Sequence, residues 1–397
     1  MAEKGPRFQP RHSYFDSLDP HSWINNNEMR GFYVMFNIVS ICYILGTCAL
    51  HLDKEGFLLE GSFFAGMMKD FKVVLVLWPG FFAWSWNAYF LQLLVLKGLP
   101  KVLTGVIQHS TQSLMFVTAW YLVYSREWEF CQTVFVTFLA LVHFMKMHSF
   151  TLVNRDLRRA WLKDPKSNSG YPGNLTPRNF LTYMVCPVLV YQVSYPRTPK
   201  FRPGYFLAKT GELLLKLVLL YIITEDHIIP VLKEAHKLKF LECFSRLLLP
   251  CILFYLVFFE TLFEHILNLF AELGQFADRE FYTDWWNCAG WTEFNRKWNR
   301  PVHLFMSAHV YRECIDNFGW SPTLAKFTTF LFSSLCHEMV AAMILRVIKP
   351  YLMAFMLLQL PLMFLFGPFT ESKAGMYLFW LGICAGPPLI ITLYLQA

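Results

Sequence analysis

Long apolar runs recur along nearly the whole chain, and they constrain its fold more than any other feature. Residues 32–50, 73–96 and 247–259 are examples, and about 20 apolar residues suffice to cross a bilayer core roughly 30 Å thick. One or two such runs could form the core of a soluble domain, but a chain built from them could not. Only 16% of the 397 residues are charged, against about 25% in soluble domains. The sequence therefore predicts an all-α polytopic membrane protein.

Nine segments are candidate transmembrane helices, and a tenth is too short. The nine are residues 32–50, 71–96, 104–124, 130–150, 205–228, 246–271, 323–345, 350–367 and 375–395. The tenth, residues 180–193, contains Pro187, and we expect it to be a re-entrant or interfacial piece. Residues 1–30 are polar and lack the apolar core of a signal peptide. We expect a short polar cytosolic N-terminal segment over residues 1–30 and one membrane-embedded domain over residues 31–397.

Lysine and arginine are distributed unevenly over the polar loops. Residues 151–209 are strongly basic, whereas residues 51–70 are mainly acidic. Because basic residues concentrate on the cytosolic side of a membrane, this asymmetry predicts a cytosolic N-terminus. Arg346 and Lys349 then fall on the luminal side and fit less well. The sequon at Asn174 lies in the basic segment, so we expect it to carry no glycan. The net charge of +7 follows from this topology and does not indicate a nucleic-acid partner.

The ten cysteines are scattered, and most lie within apolar runs. No two of them have the CxxC spacing that zinc sites and redox motifs use. Buried thiols acting as small apolar side chains explain most of them. We expect neither a zinc site nor a disulfide framework, and no bound metal or cofactor.

Residues 272–322 are polar and at the same time rich in aromatic side chains, with five tryptophans among them. Tryptophan favours the membrane–water interface, so we expect this segment to lie on or dip into the cytosolic face. Within it, residues 301–315 suit an amphipathic helix. Its apolar side would carry Val302, Phe305, Met306, Val310 and Cys314.

His337 lies in the middle of the apolar run 327–345. An ionisable side chain within a membrane span is costly and indicates a functional site. On a helix, Lys326, Phe330 and Ser333 share one face with it. That face would lead from a cation near the cytosolic entrance to a buried imidazole. A buried imidazole that stays neutral could act as a general base. A core histidine hydrogen-bonded to a neighbouring helix is an equally good interpretation of the residues alone.

Other catalytic chemistries find less support around His337. His337-Glu338 begins like the HExxH zinc motif, but Ala341 stands where that motif requires its second histidine. Neighbouring helix residues do not face each other, which argues against Cys336 as a nucleophile activated by His337. No GxSxG serine motif occurs in the chain.

Several other polar residues in apolar segments have structural interpretations. Glu212 and Lys216 stand four residues apart, and we expect them to neutralise each other. Glu260, Glu264 and His265 would line the interior of the helix bundle.

The heptapeptide Phe281 to Asn287, FYTDWWN, resembles the FYxDWWN signature of the membrane-bound O-acyltransferases. The branch concerned holds sterol O-acyltransferases and acyl-CoA:diacylglycerol acyltransferases. The signature positions are Phe281, Tyr282, Asp284, Trp285, Trp286 and Asn287. The similarity continues through Trp298-Asn299, residues 301–303 and His337-Glu338, and it covers nearly the whole chain after Arg30. Residues 191–203 and 379–395 are most similar to the fungal sterol O-acyltransferases.

The resemblance implies nine transmembrane helices around a reaction chamber within the membrane. Coenzyme A would enter from the cytosol and the lipid acceptor from the bilayer. His337 matches the family's catalytic histidine, and Asn299 matches its partner asparagine. The positions matched to the acyl-CoA path are Trp285, His303, Tyr311 and Ser333. Some relatives have a basic residue at the cytosolic start of the histidine helix, where this chain has Ser321-Pro322-Thr323, and we expect Lys326 to substitute for it.

We expect from this resemblance an acyl transfer from acyl-CoA, a substrate rather than a cofactor, to the 3-hydroxyl of a sterol. His337 would take the hydroxyl proton, and the Asn299 amide would orient the reacting carbonyl or donate to the oxyanion. Diacylglycerol is the alternative acceptor. A sterol or lipid transporter, or a non-catalytic sterol-binding protein, are alternatives from another class. We also expect the protein to reside in the endoplasmic reticulum membrane and to form a homodimer or a higher homo-oligomer.

Overall fold

The computed structural model describes residues 7–56, 62–165, 170–366 and 372–396, and the chain is mainly helical in these ranges. The helices are α1 (Arg30–Glu55), α2 (Ser62–Met68), α3 (Phe71–Leu96), α4 (Lys101–Ser125), α5 (Phe130–Lys163), α6 (Pro177–Val185), α7 (Pro203–Ile222), α8 (Ile229–Glu234), α9 (Phe240–Glu260), α10 (Leu267–Leu273), α11 (Trp291–Lys297), α12 (Arg300–Met306), α13 (Arg312–Asp316), α14 (Pro322–Leu345), α15 (Tyr351–Phe366) and α16 (Lys373–Gln396). Turns of π-helix at Ile223–Ile228, Thr261–Ile266 and Ser307–Tyr311 join α7 to α8, α9 to α10 and α12 to α13.

Each of the nine predicted membrane segments lies on a helix. Within the described ranges, six helical stretches are long and apolar enough to cross a membrane. The remaining three segments lie on α4, α7 and α15. Helices α4 and α7 carry buried amides and lysines that lower their hydropathy, and α15 is only 16 residues long. The polytopic all-α fold is confirmed, whereas the number of nine spans stays a prediction.

As predicted, the tenth apolar segment, residues 180–193, does not form a spanning helix. Its first part lies on α6, which is nine residues long. At the start of this helix, Thr176 Oγ1 accepts a hydrogen bond from the backbone amide of Asn179 at 3.2 Å. The chain then continues without helix to residue 202. The sequon residue Asn174 lies beside it, 4% exposed, and its amide donates to Asn154 Oδ1 at 2.7 Å. A buried amide with a hydrogen-bond partner gives a physical reason to expect no glycan there.

The chain divides into two compact units. The first consists of Met1–Ala65, Pro196–Arg300 and Lys349–Ala397, and the second of Gly66–Tyr195 and Pro301–Ile348. Each unit is described below by itself.

In the second unit, α3, α4 and α5 pack side by side, and α5 carries a buried lysine. Lys146 on α5 is 4% exposed. Its ammonium group donates to the backbone carbonyls of Tyr183, Met184 and Cys186 at 2.9, 3.0 and 2.7 Å. These carbonyls lie at the end of α6, where a helix leaves its last acceptors without internal donors. Lys146 thereby fixes the irregular segment that follows α6.

In the first unit, the N-terminal segment packs against α7, α9 and the signature heptapeptide. Glu264, in the π-helical turn after α9, is fully buried. It accepts hydrogen bonds from Ser13 Oγ at 2.6 Å, from the Phe15 amide at 3.1 Å and from Tyr282 Oη. The segment was predicted only to be polar and cytosolic. Within it, Ser13 Oγ and the Phe15 backbone amide are hydrogen-bond partners of the buried Glu264.

A second contact holds the same segment to α7. Asp16 is 3% exposed, accepts a hydrogen bond from Tyr205 Oη at 2.6 Å and pairs with Lys209 at 3.0 Å. Because a buried ion needs a close opposite charge, the carboxylate and the ammonium group stabilise each other within the unit. Ser13 and Asp16 of the N-terminal segment therefore lie in the interior of this unit.

The predicted pairing of Glu212 with Lys216 is wrong. Glu212 pairs with Lys209 at 2.9 Å, and Lys216 pairs with Glu260 of α9 at 2.7 Å. Lys216 is buried, and a buried ammonium group selects the anion that tertiary packing brings closest, whatever its spacing along the chain. The expectation that Glu260 and Glu264 face the bundle interior is confirmed, and both are occupied by protein partners.

Replacing Glu264 with leucine should loosen the N-terminal segment. The change leaves the buried donors of Ser13, Phe15 and Tyr282 without their acceptor, which should cost on the order of 3 kcal/mol. Thermal unfolding in detergent should shift to lower temperature, and limited proteolysis should cut earlier within residues 8–29. Glu242→Leu is the matched control, because Glu242 lies on the surface of α9 and pairs with the exposed Arg246. Equal behaviour of the two variants would contradict a structural role for Glu264.

Candidate active site

Helix α14 (Pro322–Leu345) carries His337 and begins with a serine cap and a proline, residues that commonly start a helix. Ser321 Oγ accepts a hydrogen bond from the Leu324 amide at 3.3 Å, and Pro322 is the first helical residue. The packed face of the helix comprises Ala325, Ser334, Glu338, Ala342 and Met343. The spacing of these residues along the sequence places them on one side of an α-helix.

The predicted burial of the His337 imidazole is wrong, because the structure leaves this side chain exposed. Glu338, the next residue, occupies the packed face, and consecutive helix residues point in different directions. Lys326 is exposed on the same side as His337, and Ser333 is partly buried. The predicted face of Lys326, Ser333 and His337 therefore exists, but it is accessible. Accessibility suits a group that has to meet a substrate.

The tautomer of His337 follows from one hydrogen bond. Its Nδ1 lies 2.8 Å from the carbonyl oxygen of Ser333. A carbonyl oxygen only accepts, so Nδ1 must carry the proton. In the neutral ring Nε2 then holds the free lone pair, and the backbone contact fixes the ring orientation. His337 therefore presents Nε2 as a base on the accessible side of α14.

The predicted helix over residues 301–315 is confirmed as the continuous stretch α12, π turn and α13. Of its predicted apolar side, Phe305 and Cys314 are buried, whereas Val302, Met306 and Val310 are only partly buried. Its buried positions are Phe305, His309 and Cys314. Spacings of four and then five residues keep these positions on one face, because the π turn adds a residue per turn. Two predicted acyl-CoA positions, His303 and Tyr311, are partly buried on this stretch.

Sequence reasoning missed His309. Its Nε2 lies 2.7 Å from Ser149 Oγ, which also accepts from the Tyr191 amide at 2.7 Å. The sequence offered no signal, because a histidine beside apolar residues takes its meaning from the partner that tertiary packing provides.

The signature heptapeptide lies in the first unit, where its aromatic residues form a core. Phe281, Tyr282 and Trp285 are 3%, 1% and 5% exposed. The Trp285 ring packs on Phe259 at 4.9 Å and on Trp298 at 5.4 Å between ring centroids. The heptapeptide therefore has a structural role in addition to any contact with substrate.

Trp285 has one polar atom that the surrounding core does not satisfy. Its indole Nε1 is buried and has no hydrogen-bond partner among the described residues. An indole N–H is a donor only, and a buried unpaired donor is costly. The predicted contact of Trp285 with acyl-CoA stays a prediction, and this free donor is the feature that such a contact would use.

Trp286 ties the heptapeptide to the N-terminal segment. Its ring centroid lies 4.9 Å from that of Phe15 and 5.7 Å from that of Trp23. Aromatic pairs at such distances contribute about 0.5–1.5 kcal/mol beyond their burial. The N-terminal segment and the signature therefore form one cluster.

Asp284 and Asn287 make the polar contacts of the heptapeptide. Asp284 pairs with Lys297 at 2.9 Å, and the exposed Asn287 amide lies 3.4 Å from Asp284 Oδ2. Burial raises the pKa of Asp284, but the hydrogen bond from Lys297 and that from Asn287 outweigh it and leave the pKa lowered. Asp284 is thus an ionised partner that holds the end of α11.

Asn299 lies in the short irregular stretch between α11 and α12 and is partly buried. It belongs to the first unit, whereas His337 belongs to the second. The roles predicted for these two residues stay predictions.

In the described part of the chain, the side chains are not arranged to bind a metal ion or to use a thiol as nucleophile. Within it, no three His, Cys, Asp or Glu side chains converge as a metal site requires, and the cysteines are free thiols. Cys288, directly after the heptapeptide, is fully buried, and burial raises its pKa to about 12. Such a thiol is a poor nucleophile near neutral pH.

Comparison with known proteins places the chain in a class. The membrane-bound O-acyltransferase family (MBOAT) matches residues 62–396. The chain therefore belongs to the membrane-bound O-acyltransferases, multi-pass membrane proteins that transfer acyl groups.

Three relatives show which members of the family the chain is similar to. The chain is 29% identical to "Probable sterol O-acyltransferase 1" of Schizosaccharomyces pombe, over 98% of this chain and 86% of the relative. It is 35% identical to "Sterol O-acyltransferase 2" of Saccharomyces cerevisiae, over 57% of this chain and 38% of the relative. It is 32% identical to human "Diacylglycerol O-acyltransferase 1", over 64% of this chain and 55% of the relative. The chain thus spans less than two thirds of the length of the last two.

Trp285→Phe should weaken the use of acyl-CoA. The change removes the indole N–H and keeps most of the aromatic packing, so we expect KM for acyl-CoA to rise about five- to tenfold. Steady-state kinetics with purified protein measures this. Trp286→Phe is the control, since Trp286 packs on the N-terminal segment, and its KM should stay within about twofold. A rise in both variants would point to general loosening of the aromatic core.

Proposed function

We propose that this chain transfers a fatty acyl group from acyl-CoA to the 3-hydroxyl of a sterol and so makes steryl esters. The end-to-end match to the probable sterol O-acyltransferase of S. pombe carries this proposal, because it covers 98% of the chain and 86% of that relative. The match to human diacylglycerol O-acyltransferase 1 reaches 64% of the chain. That match keeps diacylglycerol as the second candidate acceptor.

His337 is the general base in the proposed reaction. With Nδ1–H bound to the Ser333 carbonyl at 2.8 Å, Nε2 accepts the proton of the acceptor hydroxyl as its oxygen attacks the thioester carbon. The C–S bond then breaks, and the departing coenzyme A thiolate takes the proton that Nε2 accepted, which gives the free thiol and returns His337 to its neutral form. The ester forms without a covalent enzyme intermediate, because a thioester is already activated. No metal or other cofactor takes part.

Asn299 has the supporting role in this proposal. Its amide would donate to the oxygen that becomes negative when the thioester is attacked, and loss of one such donor typically costs about 10²–10³ in rate. This role follows from the family resemblance. Residence in the endoplasmic reticulum membrane, a cytosolic N-terminus and a homodimer belong to the same proposal.

The acceptor is tested with purified protein, radiolabelled oleoyl-CoA and one lipid at a time. We expect steryl oleate from ergosterol or cholesterol, at a kcat/KM at least tenfold above that for diacylglycerol. Triacylglycerol as the main product would move the chain to the second candidate and leave the mechanism in place. A chain that esterifies none of these lipids would overturn the acyltransferase proposal in favour of lipid transport or binding.

His337→Ala should lower kcat by at least about 10³, because the base is lost, with little change in thermal stability for an exposed side chain. Glu338→Gln is a useful comparison, since Glu338 lies on the packed face of the same helix. Its effect should fall on stability more than on kcat. If His337→Ala kept the parent's turnover, the catalytic assignment would be wrong.

A further inference from the structure

A cavity of about 620 Å³ opens on the first unit beside the start of α7. Residues 200–205 form most of its wall, and Leu18 and Ala208 complete it. The wall lies at the predicted cytosolic end of the span over residues 205–228, where the bilayer meets water. The described residues that line it include none of the proposed catalytic or acyl-CoA positions, so the proposed reaction gives this cavity no role.

Two cations and no carboxylate lie among the described residues that line this cavity. Lys200 is exposed, and it makes no ion pair or hydrogen bond with the described residues. Arg202 donates through Nε and Nη2 to Glu272 at 3.1 and 2.8 Å, and its side chain is 42% exposed. The same carboxylate pairs with Arg279 at 2.6 Å, so one negative charge serves two guanidinium groups. The lining therefore carries an excess of positive charge.

A strip of small side chains continues from the cavity along the outer face of α7. Gly204, Ala208 and Gly211 are exposed, and their spacings of four and three residues place them on one face of the helix. A Cβ atom added at Gly204 or at Gly211 would meet no atom within 4 Å. The neighbouring Leu207 and Leu214 are 73% and 59% exposed. These residues form a shallow apolar groove, the α7 furrow, which leads from the cavity into the membrane span.

A cationic cavity that leads into an apolar furrow matches the chemistry of an anionic phospholipid. Such a lipid carries its phosphate at the membrane interface and its acyl chains in the hydrocarbon core, and basic side chains at the cytosolic surface attract it. Exposed small residues on a membrane helix also suit a second helix. A symmetric pair formed through this face would bring identical patches together. Two copies of Lys200 would then meet at the same depth, and the repulsion between like charges opposes this contact.

We propose that the cavity and the α7 furrow together bind one anionic phospholipid of the cytosolic leaflet. Its phosphate and headgroup lie in the cavity beside Lys200 and Arg202, and one acyl chain lies along the furrow. Because Leu18 also lines the cavity, the bound lipid contacts both the N-terminal segment and α7. The site does not depend on the proposed reaction.

The headgroup is tested by lipid binding to the purified full chain in detergent, measured by native mass spectrometry. The probes are dioleoyl-phosphatidylserine, which is anionic, and dioleoyl-phosphatidylcholine, which has the same acyl chains and no net charge. We expect Lys200→Gln to raise the Kd for phosphatidylserine about fivefold, the effect of one basic residue close to an anionic lipid surface. Its Kd for phosphatidylcholine should equal the parent's. The parent should therefore prefer phosphatidylserine, and the variant should lose most of this preference.

Lys237→Gln is the matched control for the charge. Lys237 is an exposed lysine of the same unit, and it lies beyond the opposite end of the span over residues 205–228. This variant should bind both lipids as the parent does.

The furrow is tested with Gly211→Phe. The added ring occupies the path of the acyl chain, so we expect the Kd for both lipids to rise about tenfold, within the usual range for overfilling a packed site. Gly46→Phe is the matched control, because Gly46 of α1 is also exposed in this unit and an added Cβ there meets no atom within 4 Å. It should bind both lipids as the parent does. Thermal unfolding of the two variants should match the parent's, since each ring enters open space.

The remaining outcomes overturn the inference. Equal affinity of the parent and Lys200→Gln for phosphatidylserine would exclude the cavity as a headgroup site. If glycerophosphoserine, the headgroup without acyl chains, bound as tightly as phosphatidylserine, the cavity would hold a free anion rather than a lipid. If Gly211→Phe changed the mass of the oligomer and left lipid binding unchanged, the furrow would belong to a second copy of the chain. Because these measurements involve no turnover, a failure of the proposed function would leave them unaffected.

Discussion

The absence of water inside a bilayer is the constraint on which the rest of this structure depends. A polar group buried there must find its partner within the protein or its ligand. Lys146 meets the constraint with three backbone carbonyls, and Lys216 meets it with Glu260. Glu264 meets it by collecting donors from the N-terminal segment and from the signature tyrosine. These buried polar residues therefore connect segments of the protein that are distant along the chain.

The same constraint gives weight to the few groups that remain unsatisfied. Within the described residues, the Trp285 indole and the Gln112 amide are buried and lack partners. His337 is different, because it is exposed and uses its Nδ1 for a backbone carbonyl of its own helix. A base that must meet a substrate needs access.

Much of the fold could be predicted from the sequence. The apolar runs gave helices at every predicted position because hydrophobic length is a local property. The helix predicted over residues 301–315 also followed from a local pattern and was confirmed. The burial of His337 was predicted wrongly, because the choice of packed face depends on which side of α14 the neighbouring helices occupy. The pairing of Glu212 with Lys216 was predicted wrongly for the same reason, since Lys216 pairs with Glu260 of α9 instead.

The sequence by itself determined the helical membrane fold, the family through FYTDWWN, and the choice of His337 as the residue to test. These properties follow from hydrophobic length, residue type and spacing, which are written in order along the chain. Only the tertiary structure decided that Ser13 and Phe15 donate to the buried Glu264, that His309 lies within hydrogen-bond distance of Ser149, and that Gln112 has no hydrogen-bond partner among the described residues. Hydrogen bonds between distant residues depend on which surfaces pack together, and a linear pattern does not specify that packing.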